Sequence, residues 1–432
     1  MKKNLLLFVV MATCGLMLSC SSSNDEEEDL GESKKVVNML SEAKPIELTL
    51  EQSVFVNDNN RFTLNFLKTV NETDQSGKSF IYSPLSITYV LGMVNDAAEG
   101  LTEQELEQTL GFHEGGIQAV NDYCKELIEG LPEVDKKVTL NIANAIFLNE
   151  NYTLKTQFQQ DMQTYYDAKA EALDFFSSET LEHINSWCNE KTKGMIPTIL
   201  DEVDPMMVSY LLNAIYFKAD WASKFDKNNT KDENFGGKKL PMMHQNVLIS
   251  YVNNGLFSAV KIPYGNGYWN MTVMLPEDGK TTDDIISYLA TVGFSEVESF
   301  CGTMGGVFSH YEVDLKLPRF ETNSDTDELE DNLVGLLQKM GIRLAFDSEL
   351  AQIPNMCDVP VHIDMMRQKA AIKVNEEGSE AAAVTIAGMK TNAASGPAEY
   401  PKATFHANRP FVYVIREASS NVILFVGKFT GA

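Results

Sequence analysis

Cysteine and histidine are the side chains best suited to nucleophilic or metal chemistry, and their spacing here supports neither. The six histidines are scattered and HExxH is absent. Cys124, Cys188, Cys301 and Cys357 form no CxxC pair and show no ligand spacing. Isolated buried thiols are expected, and one disulfide is open in an oxidising compartment. No GxSxG nucleophile elbow occurs. Gly77-Lys78-Ser79 has the ending of a phosphate-binding loop, but Glu72 stands where its first glycine must be. The Gly302–Gly306 cluster is too short a signal for any function, and Trp187, Trp221 and Trp269 read as core residues. Catalysis therefore has no motif to rest on, and neither a metal nor a cofactor is expected.

The segment that stands out carries no catalytic group. Residues 376–400 read EEGSEAAAVTIAGMKTNAASGPAEY, between two strand-like runs. The first dozen residues have no large apolar anchor, which predicts an exposed loop and a protease target. Read with period two, Ser379, Ala381, Ala383, Thr385 and Ala387 share one face, all small and uncharged. Glu380, Ala382, Val384 and Ile386 share the other, and Val384, Thr385 and Ile386 add β propensity. This is the pattern of a latent strand whose small face could slide over a packed core. An alanine-rich helix or a plain linker are the other readings.

The N-terminus is a targeting segment. Lys2 and Lys3 precede an apolar run from Leu5 to Leu18, too short to span a bilayer and suited to a signal-peptide core. Ser19-Cys20 at its end resembles a bacterial lipobox, in which the Cys20 thiol takes up diacylglycerol. Polar Ser21–Asn24 and the acidic run Asp25–Asp29 follow; this resembles the surface-export signal of Bacteroidetes lipoproteins. The expected division is a signal peptide at 1–19, a lipidated, acidic flexible tether at 20–45 and a folded domain at 46–432. An outer-membrane lipoprotein exposed at the surface is expected, with the periplasmic face as the alternative.

The elements that must position the loop come from the body of the chain. Its 432 residues are 44% hydrophobic and 22% charged, ordinary for a globular protein. A net charge of −26 repels phosphate backbones and argues against nucleic-acid binding. Helical spacing predicts helices at Asn60–Glu72, Ser86–Asn95, Thr102–Leu110, Glu182–Lys193 and Asp327–Met340. Ser83-Pro84 reads as a helix start, and Thr102 with Glu105 reads as a capping box. Strands are expected at Val138–Leu148, Met207–Phe217, Trp269–Leu275, Val313–Leu317, Ala370–Val374, Phe411–Arg416 and Val422–Phe429. Mixed without strict alternation, these predict one large α+β domain.

Lys369–Ala383 reads KAAIKVNEEGSEAAA, and this resembles the hinge of inhibitory serpins. Further blocks occur in that family's order: Phe80–Ile87, Leu212–Lys218 with Trp221 and Phe225, Ala407–Phe411 and Val426–Lys428. The resemblance implies a single domain of three β-sheets and eight to nine helices, with a reactive loop at about 376–404. It implies a suicide substrate: a serine or cysteine protease attacks the loop, and the cleaved loop inserts into the main sheet with the acyl-enzyme still attached. The partner is then the target protease in a covalent complex, the protein is no enzyme, and a monomer suffices. The hinge is Glu376, Glu377, Gly378, Ser379, Glu380, Ala381, Ala382, Ala383, Val384 and Thr385; a proline or charge at Ser379 would block entry. Glu376 is expected to pair with Arg319. Ser83, Ser86 and Asn213 are expected to hydrogen-bond where two strands part, near Trp221, with Gln368 in place of the family's frequent histidine. The scissile bond follows Lys390 or Asn392, with Met389, Thr391 and Ala393 as the other candidates; Lys390 is favoured because proteases accept its side chain more readily. A non-inhibitory, serpin-like binding or bait lipoprotein is the alternative.

Overall fold

The computed structural model describes residues 44–431 except 75, 114, 295–309, 364 and 380–399. Residues Glu42–Ala432 group into one unit. The tested parts of the sequence reading therefore exclude the signal peptide, Cys20, most of the tether, Cys301, the loop from Glu380 through Thr385, and all five scissile-bond candidates, Met389 to Ala393.

Eight α-helices and fifteen strands occur among the described residues. The helices are α1 (Leu50–Thr73), α2 (Pro84–Ala97), α3 (Gly100–Leu110), α4 (Gly116–Gly130), α5 (Thr156–Tyr166), α6 (Glu179–Lys191), α7 (Thr282–Val292) and α8 (Leu333–Met340). One sheet runs β10-β11-β12-β4-β2-β3. Its strands are β10 (Phe320–Asp325), β11 (Lys369–Val374), β12 (Gly378–Ser379), β4 (Ser209–Asp220), β2 (Thr139–Asn149) and β3 (Ala168–Leu173). The other runs β1 (Phe80–Tyr82), β15 (Ile423–Phe429), β14 (Phe411–Glu417), β8 (Trp269–Pro276), then β7, β6, β9 and β13 (Lys402–His406). Here β6 (Lys238–Asn253) pairs β7 (Phe257–Tyr264) with its last residues, and β9 (His310–Pro318) and β5 (Lys231–Phe235) with the rest. The third sheet that the resemblance implies is therefore fused to the second through this sixteen-residue strand.

Burial explains the layering. Every residue of α2 is buried, because it lies between β4 and β15 (Ile423–Phe429) and has no wet face. The six-stranded sheet is covered on both sides. Ala143, Ala145 and Phe147 of β2 and Tyr210, Leu212 and Ala214 of β4 pack with Trp187 of α6 in a small core. The alternate residues, Ile146 and Leu148 of β2 and Ile215 and Ala219 of β4, face the main core.

Several sequence expectations are corrected. Helix α1 starts ten residues earlier than Asn60, under a capping box of Thr49 and Gln52. The Thr102–Glu105 box does not form: Glu99 caps α3, the Thr102 hydroxyl accepts from the Gln352 amide, and Glu105 accepts from the amides of Arg343 and Leu344. Of Asp327–Met340, only Leu333–Met340 is α-helical, capped by Asn332. Helices α4, α5 and α7 were not anticipated.

Candidate functional site

The site lies where β4 and β11 part. Among the described residues these strands are joined through β12 alone. After β11 the chain turns back at Asn375, whose side-chain carbonyl accepts from the amides of Glu377 (2.9 Å) and Gly378 (3.3 Å). Gly378 and Ser379 then enter the sheet antiparallel to both neighbours, opposite Asp220 and Ala219 on β4, with Ser379 opposite Val374 on β11. The hinge is thus already two residues into the sheet. This corrects the expectation of an exposed loop from 376: Glu376, Gly378 and Ser379 are buried, and at the far end β13 (Lys402–His406) is strand rather than loop.

Gly378 has φ +152°, and a Cβ there would meet the Ala219 carbonyl and, at 2.6 Å, the Asp220 Cα. Glycine is required by this close approach. Ser379 points beneath the sheet, and its hydroxyl shares a 2.9 Å hydrogen bond with the fully buried Tyr264 hydroxyl. Tyr264 stacks on Trp221 at 4.3 Å between centroids. The indole N–H donates to the Asn375 carbonyl (2.9 Å), and the Trp221 amide donates to the Glu377 carbonyl (2.8 Å). Trp221 therefore clamps the hinge from below.

Charges close the top. Arg319 pairs with Glu376, and Thr230 donates to the same carboxylate at 2.7 Å. Burial alone would raise the Glu376 carboxyl, but the hydrogen bonds from Arg319 and Thr230 outweigh it and hold the group below the ordinary carboxylate value. Glu377 is held low by Lys227 and Lys224, at 2.9 and 3.0 Å.

The remaining predicted residues lie further down the parting line. Gln368 uses both arms of its amide on one residue, accepting from the Ser83 amide (3.0 Å) and donating to the Ser83 carbonyl (2.7 Å). The Ser83 hydroxyl donates to the Leu424 carbonyl, and Ser86 donates to the Ser83 hydroxyl. Asn213 is not in this network; it donates to Asn144 on β2 at 2.7 Å. Its other amide atom, Oδ1, is buried with no hydrogen-bond partner among the described residues. Beside it a cavity of about 20 Å³, the size of one water, is lined by Asn213, Gln368, Ser86 and Leu211. Sequence reasoning missed Tyr264, Thr230, Lys224, Lys227 and Asn144. No local pattern marks them, because each acts through a residue more than forty positions away.

A family profile described as Serpin (serine protease inhibitor) matches residues 57–431. The chain belongs to the serpin family. Serpin B6 of Pongo abelii is 30% identical over 392 residues, covering 87% of this chain and 99% of that protein. Leukocyte elastase inhibitor A of Rattus norvegicus is 30% identical over 383 residues, covering 86% and 97%. The crystal structure of the thermophilic serpin tengpin in its native state aligns with a TM-score of 0.74 at 25% identity, covering 91% of this chain and 98% of that one. The serpin fold of this chain is α+β, as its sequence pattern implied.

Proposed function

We propose that this serpin is a single-use inhibitor of serine, and in principle cysteine, endopeptidases. It is tethered to a bacterial outer membrane through lipidated Cys20, after removal of residues 1–19. Residues 20–45 form the tether and 46–432 the inhibitory domain. The elastase inhibitor among its relatives supports the inhibitory part.

The observation that carries the reading is the register of β12. Extending it along β4 sets residues 381, 383 and 385 opposite Phe217, Ile215 and Asn213, on the core side. Those loop residues are Ala381, Ala383 and Thr385, small enough to lie over the packed core. On the outer side Glu380 falls opposite Lys218, and Val384 and Ile386 opposite Ala214 and Leu212, against α6. The Thr385 hydroxyl arrives beside Asn213 Oδ1, the acceptor that lacks a partner. The core-facing loop residues are thus small and uncharged, and the polar ones, Glu380 and Thr385, fall beside Lys218 and Asn213.

The protease nucleophile attacks the carbonyl of the scissile residue, an ester or thioester forms, and the new amine terminus departs. The freed loop then zips down from β12. Twelve-residue β4 accommodates residues 378–389, which ends one residue before Lys390. Cleavage after Lys390 therefore fills the strand completely, which favours Lys390 over Asn392. At about 3.4 Å per residue the enzyme moves roughly 40 Å. Distorting its catalytic groups slows deacylation, as loss of a single oxyanion donor costs about 10²–10³ in rate.

The test mixes residues 21–432 with trypsin-, elastase-, subtilisin- and papain-type proteases, followed by denaturing gels and mass spectrometry of the released C-terminal peptide. A boiling-resistant complex with that peptide starting at Thr391 supports the reading. Clean cleavage without complex would establish bait behaviour instead. Labelling with a radioactive fatty acid in a bacterial host tests Cys20, with Cys20→Ala as the control.

A further inference from the structure

A second site lies away from the loop, where the C-terminal end of α2 meets α4 and α5. A pocket of about 340 Å³ opens there, within the range of small-ligand sites. Asp96 lines it and is only 9% exposed. Its one side-chain hydrogen bond among the described residues comes from Asn121 at 2.6 Å, and the charged neighbour that bears on it is another carboxylate, Asp161. Burial pushes the Asp96 carboxyl up to about 6, against the help of Asn121. A nearly buried carboxylate without a cationic partner is costly, and ordinarily it is paired.

The amides around it are turned one way. Gln157 donates both its contacts to Asp161 (3.0 Å each), Gln118 donates to Asp122 and the Tyr165 hydroxyl, Asn355 donates to Glu99, and Asn121 donates to Asp96. A carboxylate only accepts, so each amide must face it with its NH2 group. The NH2 groups of Gln118 and Gln157 make two contacts each and those of Asn121 and Asn355 one each, so beside Lys155 the lining offers more acceptors than donors: Asp96, Asp161 and the carbonyl oxygens of Gln118, Gln157 and Asn355. Tyr166 takes the Asn121 carbonyl at 2.8 Å and so fixes that amide. Ile117, Phe158 and the Tyr165 ring supply apolar wall.

We propose that this pocket binds a small organic cation with several N–H donors and a short alkyl stem, an alkylguanidinium. Guanidinium offers five donors in a plane to the acceptors, and its stem suits the apolar wall. A bare metal ion does not suit so wide a space, and no group of three metal-ligating side chains occurs among the described residues. The groups facing Asp96 are Asp161 and Lys155 at α5 and Tyr166 at its end, with Cys124 on α4 behind Tyr166 and Glu99 reached through Asn355. Of these, Lys155 is the cation that could compete from the rim.

The test is calorimetry and thermal melting of the 21–432 protein with agmatine. Agmatine is expected to bind at millimolar concentration or below and to raise Tm. Binding should weaken as pH falls through about 6, where Asp96 takes up a proton. Asp96→Asn should weaken it by at least about tenfold; this variant keeps the shape and removes an unpaired buried charge, so the fold is retained. Asp161→Asn is the second variant, expected to weaken binding less. No heat and no shift in the parent protein at about 10 mM would overturn the proposal. So would equal binding by Asp96→Asn, or equal binding of the urea analogue of agmatine, which keeps the ammonium and lacks the guanidinium charge. If Lys155 already neutralises the pocket, the parent protein gives no shift. None of these readouts depends on protease trapping.

Discussion

Ser379→Arg is the substitution that most directly probes insertion. Ser379 is 2% exposed, and its hydroxyl meets Tyr264, which is itself fully buried against Trp221. Among the described residues no carboxylate bears on the Tyr264 hydroxyl that Ser379 meets, so none is placed to pair an arginine there. Burying its charge unpaired costs several kcal/mol. The two-residue β12 holds its place through a few ladder and turn hydrogen bonds, each contributing about 1 kcal/mol net. The charge therefore outweighs the ladder and expels the hinge. After cleavage, insertion competes with deacylation, and each 1.4 kcal/mol added to the insertion barrier slows it about tenfold. A barrier raised by about 3 kcal/mol slows insertion roughly a hundredfold, and deacylation wins. On denaturing gels against a protease that the parent protein traps, Ser379→Arg should run almost wholly as cleaved serpin with active enzyme recovered. Ser379→Ala, which orphans one Tyr264 hydroxyl at a cost of about 1–3 kcal/mol, should give an intermediate yield. Undiminished complex from Ser379→Arg would refute the register drawn from β12.

Further outcomes follow from the same geometry. Gly378→Ala places a Cβ into the Ala219 carbonyl and should abolish complex formation while leaving the far sheet folded, as read by circular dichroism and gel assay. Gln368→Ala leaves the Ser83 amide buried and unpaired, while the Ser83 carbonyl keeps the Ser86 amide, which should cost about 1–3 kcal/mol in denaturant unfolding. Glu376 is depressed in the fold, so its contribution is fully present above the ordinary carboxylate value of about 4.3 and lost as pH falls through the folded value; the Tm gap between the parent protein and Glu376→Gln should therefore close on acidification. Burial pushes the Cys124 and Cys188 thiols up to about 12, so mass mapping after alkylation at neutral pH should find both unmodified until the chain is denatured.

The sequence alone determined the parts of this protein whose cause is local. The alternation of small residues from Ser379 to Ala387 fixes which face of a latent strand can lie on a core, because strand geometry repeats every two residues. The helix expected at Ser86–Asn95 and the strand expected at Met207–Phe217 lie within α2 and β4, whereas the close approach of Gly378 to Ala219 and Asp220 is a tertiary fact. Helices α4 and α5 do carry apolar residues at helical spacing, Val120, Tyr123, Cys124, Leu127 and Ile128 in one and Phe158, Met162 and Tyr166 in the other, so the pattern that could have found them was present in the sequence. The Thr102–Glu105 box failed because tertiary partners, Gln352 and the Arg343–Leu344 amides, claimed both side chains. Only the tertiary structure decided that the hinge already sits in the sheet, that Tyr264 and Trp221 receive it, and that Asn213 is left with an open acceptor. Those facts depend on strands more than a hundred residues apart being brought side by side, and no spacing along the chain encodes which distant side chain will be the neighbour.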